Sequence, residues 1–324
     1  MSEAGPGAPA QPWAPKPLDG IAGAQVVFRS DPSTVGLDWW HLKHSAQTET
    51  ALRSDPDIPP DLTDALLERD TQPRVHAIDG HTLLILRGIN HAQGAEPEDM
   101  ISIRLAISGR QVVSVELRRL RQIDRLIAEC RAGRTPENPG ALLCALVSVL
   151  RADVEPVLDE LETDVARLEK RLLRSERALG RAERAALSDT RQDAIMLHRY
   201  IAPQGQAVAA LTRLKPDWLT ERRVLKSEAE AFRRIASDLE AVRDRAQIVA
   251  EEAALVASER MNRTILLLSA VSVVFLPITA LTGLLGVNLA GIPFAEDPAS
   301  FPIFGLLLVA VGALAAWLAM RLLR

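Results

Sequence analysis

The sequence predicts an α/β domain at its N-terminal end, followed by a long stalk helix and two C-terminal transmembrane helices. Three observations carry that expectation. Charge is unevenly placed: 25% of the 324 residues are charged, yet none lies between Arg263 and Glu296 or between Asp297 and Arg321. Phe232, Ile235, Leu239, Val242, Ala246, Val249, Ala253 and Val256 alternate spacings of three and four, which is a heptad seam. Short β-type runs with turn dipeptides between them fill much of the chain before Leu117. Together these exclude a wholly soluble chain, a disordered one and a small disulfide scaffold.

Residues 1–22 are rich in Pro, Gly and Ala without an apolar run, so they read as a disordered tail rather than a signal peptide. Residues 23–139 read as a cytosolic α/β domain. Its strand candidates are 24–28, 81–86, 100–108 and 111–117, with Asp79-Gly80 and Gly109-Arg110 as turns. A helical stretch, Asp61 to Arg69, interrupts the series, and the sheet is expected to be at least partly antiparallel. Residues 140–215 read as two antiparallel helices. The first carries the stripe Leu150, Val154, Leu158, Leu161, Val165, Leu168 and Leu172 and ends near Gly180. The second runs from about Arg181 to Leu211.

Little in this region points to catalysis. Cys130 and Cys144 form no C-x-x-C pair and are expected to be reduced, packed thiols. Asp153, Glu155, Asp159, Glu160, Glu162 and Asp164 are expected to be a solvated face with arginine partners rather than a metal site. His41 and His44 could share a metal only if their segment were helical. No nucleophile elbow, phosphate-binding glycine loop or H-E-x-x-H pattern occurs, so neither an enzyme nor a resident cofactor is expected. A net charge of −4 argues against nucleic acid as a partner.

The stalk is predicted as residues 216–263, with Pro216 in its first turn. It continues into a charge-free span, 264–287, roughly 36 Å long as a helix and sufficient for a hydrocarbon core of about 30 Å. Residues 288–300 form a connecting loop and 301–321 a second span. Arg260 and Arg263 before the first span, and Arg321 and Arg324 after the second, place both termini in the cytoplasm. The loop, with Glu296 and Asp297 and no basic residue, then lies outside, in the periplasm, and lipid surrounds the spans. Pro277 should bend the first span, with Thr279 and Thr282 as nearby hydrogen-bonding hydroxyls. Gly305, Gly312 and Ala316 would allow close helix approach, and Trp317 suits an interfacial belt. Positions 261, 265, 268, 272, 276 and 279 fall on one helical stripe. That stripe could line a pore, face lipid or pack on another helix.

The outer end of the first span carries Gly286-Val287-Asn288, followed by Leu289-Ala290-Gly291-Ile292-Pro293. With Met261-Asn262-Arg263, Val274-Phe275-Leu276-Pro277, Thr282-Gly283 and, more loosely, Trp40-His41-Leu42, this arrangement resembles the CorA superfamily of divalent-cation channels and transporters. Gly-Val-Asn with the following Gly-Ile-Pro is similar to the ZntB zinc-transporter branch, although Ala290 stands where that branch often has Gly. The resemblance implies a funnel-shaped homopentamer in a bacterial inner membrane that carries Zn2+, or Mg2+ and other divalent cations, with proton-coupled uptake for the zinc branch. It implies that Asn288 forms a selectivity ring touching the metal through its water shell, and that Ile265, Leu268, Leu276 and Thr279 line the pore below. Ser272 joins them from the helical stripe. Glu296 and Asp297 would form an outer acidic ring, and Arg260 and Arg263 an inner basic ring. Two other readings stay open: a magnesium or broad divalent channel of CorA type, and a membrane-anchored coiled-coil scaffold that moves nothing.

Overall fold

Strands buried on both faces and two tight turns build the sheet. In the computed structural model, which describes residues 24–29, 36–56, 58–69, 71–92, 94, 99–175, 178–285 and 299–322, six strands pair in the order β1-β2-β6-β5-β4-β3. They are β1 (Ala24–Arg29), β2 (Asp38–Lys43), β3 (Arg74–Ile78), β4 (His81–Gly88), β5 (Ile101–Ser108) and β6 (Gln111–Glu116). Asp79 and Gly80 both take positive φ, 45° and 80°, and join β3 to β4 in a two-residue hairpin. Gly109, at φ 55°, opens the matching turn between β5 and β6. Every pairing is antiparallel except β2 with β6. The mixed, largely antiparallel sheet agrees with the expectation from sequence.

Both faces of the sheet are covered. Trp40, Leu42, Leu83, Ile85, Ala106, Val113 and Val115 form one core with Leu52 of α1 (Ala46–Ser54) and Leu62, Leu66 and Leu67 of α2 (Pro60–Leu67). Ser45 caps α1 by accepting from the Thr48 N–H at 3.1 Å. On the other face α5 (Arg181–Leu214) packs on β3 and β4, where Gln204 accepts from the Arg87 N–H at 2.6 Å. That face also buries a polar group: the Ser114 hydroxyl accepts from Trp39 Nε1 at 2.8 Å and lies 2.9 Å from His41 Nδ1. His41 thus sits in a buried strand, not on a helix beside His44, which excludes the shared-metal arrangement.

Three long helices complete this unit: α4 (Pro139–Ser175), α5 and the first part of α6 (Arg222–Leu285). α3 (Arg121–Arg131) precedes them. The heptad seam is buried inside the chain, since Phe232, Ile235, Leu239, Val242, Ala246 and Val249 are all covered. Gly205 of α5 allows the approach, because an added Cβ there would stand 3.1 Å from the Phe232 Cβ. The ion pair of Arg151 with Glu228 (2.7 Å) and a 3.2 Å contact of His198 Nε2 with the Glu240 carboxylate flank the packing, and Arg245 joins Glu169. The expected solvated acidic face has its arginines, with Glu155 bonded to Arg151 and Asp164 to Arg167. Asp153 instead lies 2.8 Å from His91 Nε2. Cys130 is buried and Cys144 half-buried; burial, then Glu221 and Glu228, push the Cys144 thiol up to about 12.

Three sequence expectations differ in detail. α6 begins at Arg222, not Pro216, because Lys215 adopts φ 50° and Pro216 instead closes a turn whose carbonyl accepts from Leu219 N–H at 3.0 Å. α4 ends at Ser175, ahead of Gly180. β2, β3, α1 and α3 were absent from the pattern, for β2 is apolar on both faces and α1 buries only Thr48 and Leu52. By contact the chain divides into two units: Met1–Arg171 with Arg181–Val249, and Leu172–Gly180 with Ala250–Arg324. α6 contributes to both.

Phe232 is fully buried against α5. Phe232→Ala should therefore destabilise the first unit by about 3–5 kcal/mol, the usual loss for a buried aromatic ring. Thermal melting followed by circular dichroism would register it as a lowered first transition.

Candidate functional site

From Ala254 onward no described residue of α6 is fully buried. This part of α6 and α7 (Ser300–Leu322) are long and apolar enough to cross a membrane. Within that segment of α6, Ala270, Val274, Pro277, Ile278 and Leu281 are partly covered, and their spacing puts them on one face. On α7 the covered positions are Phe304, Gly305, Leu308, Val311, Gly312, Ala315 and Ala316. The two faces meet: a Cβ added at Gly312 would lie 3.3 Å from Ile278 Cδ1. Glycine and alanine on α7 admit the neighbouring backbone closely.

The stripe singled out from sequence lies on the opposite side of α6. At about 100° per residue, positions 265, 268, 272, 276 and 279 centre half a turn from 270, 274 and 281. Their exposure agrees, with Ile265 51%, Leu268 64% and Leu276 73% accessible and Ser272 and Thr279 exposed. Among the described residues this stripe stays exposed and faces away from α7, which removes the reading that it is the contact between α6 and α7. Arg260 and Arg263 are exposed at the N-terminal end of the segment. Gly286, Val287, Asn288, Glu296 and Asp297 lie outside the described residues.

The hydroxyls of the stripe have a defined polarity. Ser272 Oγ donates to the Leu268 carbonyl at 2.9 Å, and Thr279 Oγ1 to the Phe275 carbonyl at 2.8 Å. With their protons committed to the helix, both oxygens present only lone pairs outward. Thr282 donates to Ile278 and Thr279 carbonyls at 2.9 and 3.1 Å. Neither threonine reaches the Val273 carbonyl, which Pro277 deprives of its helical N–H partner. The expectation that these hydroxyls would repair the proline site is corrected: an i−4 hydroxyl bond serves the residue's own preceding turn. α6 nevertheless stays helical through Pro277. Near the end of α7 the Arg321 guanidinium lies 5.5 Å from the Trp317 ring centroid, a cation–π contact.

Ionisable side chains are missing from the apolar part of α6 between Arg263 and Leu285. Among the described residues, no group of three or more His, Cys, Asp or Glu could hold a metal ion. The stripe can therefore meet a cation only through hydroxyl lone pairs, backbone dipoles and apolar surface.

Comparison with known proteins adds an independent line. The family described as CorA-like Mg2+ transporter protein matches residues 35–323. A divalent cation transporter, CmaX, from Pseudomonas aeruginosa is 31% identical over 319 residues, covering 94% of this chain and 94% of its own. A zinc transport protein, ZntB, from Pectobacterium carotovorum is also 31% identical, over 306 residues and 93% and 92% of the two chains. The solved structure of full-length CmaX superposes with a TM-score of 0.79 at 29% identity, over 95% of this chain and 93% of that one.

Gly312 stands against Ile278, so Gly312→Leu should force the helices apart and destabilise their pairing by about 1–3 kcal/mol. Adding Ile278→Ala should restore much of it. Detergent-stability measurements on the single and double variants would detect the coupling as non-additivity.

Proposed function

This chain belongs to the CorA family of divalent cation transporters, and we propose that its cargo is zinc, carried into the cell as a largely hydrated ion through a homopentameric pore. The observation that carries this reading is the exposed stripe of α6, turned away from the α7 contact and free of ionisable groups. Around an axis, five copies of Ile265, Leu268, Ser272, Leu276 and Thr279 would line the passage. The ZntB relative supports zinc among the divalent ions. The protein sits in the bacterial inner membrane with both termini in the cytoplasm, as the basic flanks of the spans suggest.

Cation selection follows from the lining chemistry. A metal's water shell donates hydrogen bonds outward, and the outward lone pairs of Ser272 and Thr279 accept them. Zinc's usual inner-sphere ligands, thiolate, imidazole and carboxylate, are absent from this segment, so the ion keeps its waters. At the outer mouth Asn288 supplies amide oxygens beside the partially negative C-terminal end of α6. An uncharged ring there holds a dication weakly enough to release it. Glu296 and Asp297 raise the local cation concentration by long-range attraction. Leu268 and Leu276 form the apolar stretch that closes by expelling water, and Arg260 and Arg263 oppose cation flow at the inner end. Zinc uptake is coupled to proton entry, a step that rests on likeness to the zinc branch alone.

A second reading, a broad divalent transporter, is favoured by the equally similar CmaX relative. Zinc flux into proteoliposomes in the presence of tenfold magnesium separates the two: retained flux supports zinc, strong competition supports the broader cargo. Asn288→Ala should reduce flux at least tenfold, and unchanged transport would remove the filter. Replacing Glu296 and Asp297 by their amides should raise the half-saturating concentration at low ionic strength and leave it nearly unchanged at high salt. Mass measurement in detergent should find five chains; two would favour a scaffold.

A further inference from the structure

Five hydroxyl side chains lie on α6 from Thr264 to Leu285: Thr264, Ser269, Ser272, Thr279 and Thr282. Four of them give their protons to the preceding turn: Thr264 to the Arg260 carbonyl at 3.0 Å, Ser272 to Leu268, Thr279 to Phe275 and Thr282 to Ile278. Ser269 is the exception. It is exposed, and among the described residues its hydroxyl has no hydrogen-bond partner. Its proton and its lone pairs are therefore both available, whereas Ser272 and Thr279 offer lone pairs alone.

Around the helix, at about 100° per residue, Ser269 stands about 20° from Leu276 and about 40° from Ile265. It is about 100° or more from Ala270, Val274 and Leu281, on the side given to α7. Along the axis it adjoins Leu268 and lies about two turns before Leu276, inside the apolar stretch that those leucines bound. Hydrocarbon offers a hydroxyl no partner, and a polar group left unpaired there is costly. Water in a passage supplies both a donor and an acceptor.

We propose that Ser269 is a further lining residue of the ion passage, whose hydroxyl holds water inside the apolar closure between Leu268 and Leu276. The inference rests on the reading of this side of α6 as a pore. Apolar constrictions gate by dewetting, so a ring of hydroxyls within one sets how readily water re-enters. Each Ser269 accepts from the water shell of a passing cation and donates to the water that follows it. Ser272 cannot do both, because its proton is committed to the Leu268 carbonyl. Ser269→Ala removes the ring and leaves the backbone in place, since the side chain is exposed and alanine is the strongest helix former.

Thiol labelling of the full-length protein in proteoliposomes tests the placement, with Cys130 and Cys144 replaced by alanine and EDTA present to keep metal off the introduced thiols. The reagent is a charged methanethiosulfonate, which reaches thiols only through water. Ser269→Cys and Leu276→Cys should both be labelled. Leu306→Cys, exposed on the side of α7 away from α6, should not. Labelling at Leu276→Cys but not at Ser269→Cys overturns the proposal and leaves the pore standing. Labelling at neither removes the pore and the proposal together. Zinc flux is the second measurement. Ser269→Ala should lower it about tenfold, near the upper end of what one lost hydrogen bond contributes, while chain stoichiometry and melting temperature stay unchanged. Undiminished flux overturns the assignment, and so does an altered stoichiometry, which would place Ser269 in a contact between copies.

Discussion

One continuous helix governs the rest of the structure. α6 runs from Arg222 to Leu285 and must satisfy three environments in turn along a single hydrogen-bonded rod. Its first half buries Phe232 through Val249 against α4 and α5. Its second half gives one face to α7 at Ile278 and leaves the opposite face uncovered. A helix has only one circumference, about 100° per residue, so what one side gives to packing within the chain the other side cannot share. The uncovered stripe is thus a residue of how the chain packs.

The division was partly legible beforehand. Charge placement revealed the two apolar helices, because a helical run as long as Arg263 to Leu285 seldom lacks Asp, Glu, Lys and Arg unless lipid surrounds it. Asp79-Gly80 revealed a hairpin because only a few residues accept two successive positive φ values. The seam from Phe232 to Val249 was legible as a packed face, but periodicity carries no label for the partner, and the structure assigns that partner to α4 and α5 of the same chain. β2 was hidden because Trp39, Trp40, His41 and Leu42 are all buried, so no alternation betrays a strand. A cavity beside β5 was hidden for another reason: its lining residues Arg69, Arg87, Ser102 and Arg118 are separated in sequence and meet only in the fold.

At the site, the stripe itself came from helical arithmetic, whereas the polarity of its hydroxyls did not. Serine and threonine in a helix can donate to the preceding turn or turn outward, and the choice decides whether a passing ion meets a proton or a lone pair. Ser272 and Thr279 both bond backward, to Leu268 and Phe275. A cation is accommodated by that orientation, and a hydrated anion would be met less well. The stripe thus turns oxygen lone pairs outward through side-chain rotamers, without any acidic residue between Arg263 and Leu285.

Pro277 divides this segment mechanically. A helix with every i−4 bond in place transmits rotation about its axis as a rod does, and the missing bond to the Val273 carbonyl is a local weak point. Ile265, Leu268 and Ser272 lie on the side of Pro277 that is continuous with the seam buried against α5, whereas Thr279 lies beyond it. A turn of one residue's worth, about 100°, would carry Leu268 off its stripe entirely. From Arg222 to Leu276 α6 contains no proline, so Leu268 and Ser272 lie on an unbroken helical run, and Thr279 lies beyond its one weakened turn.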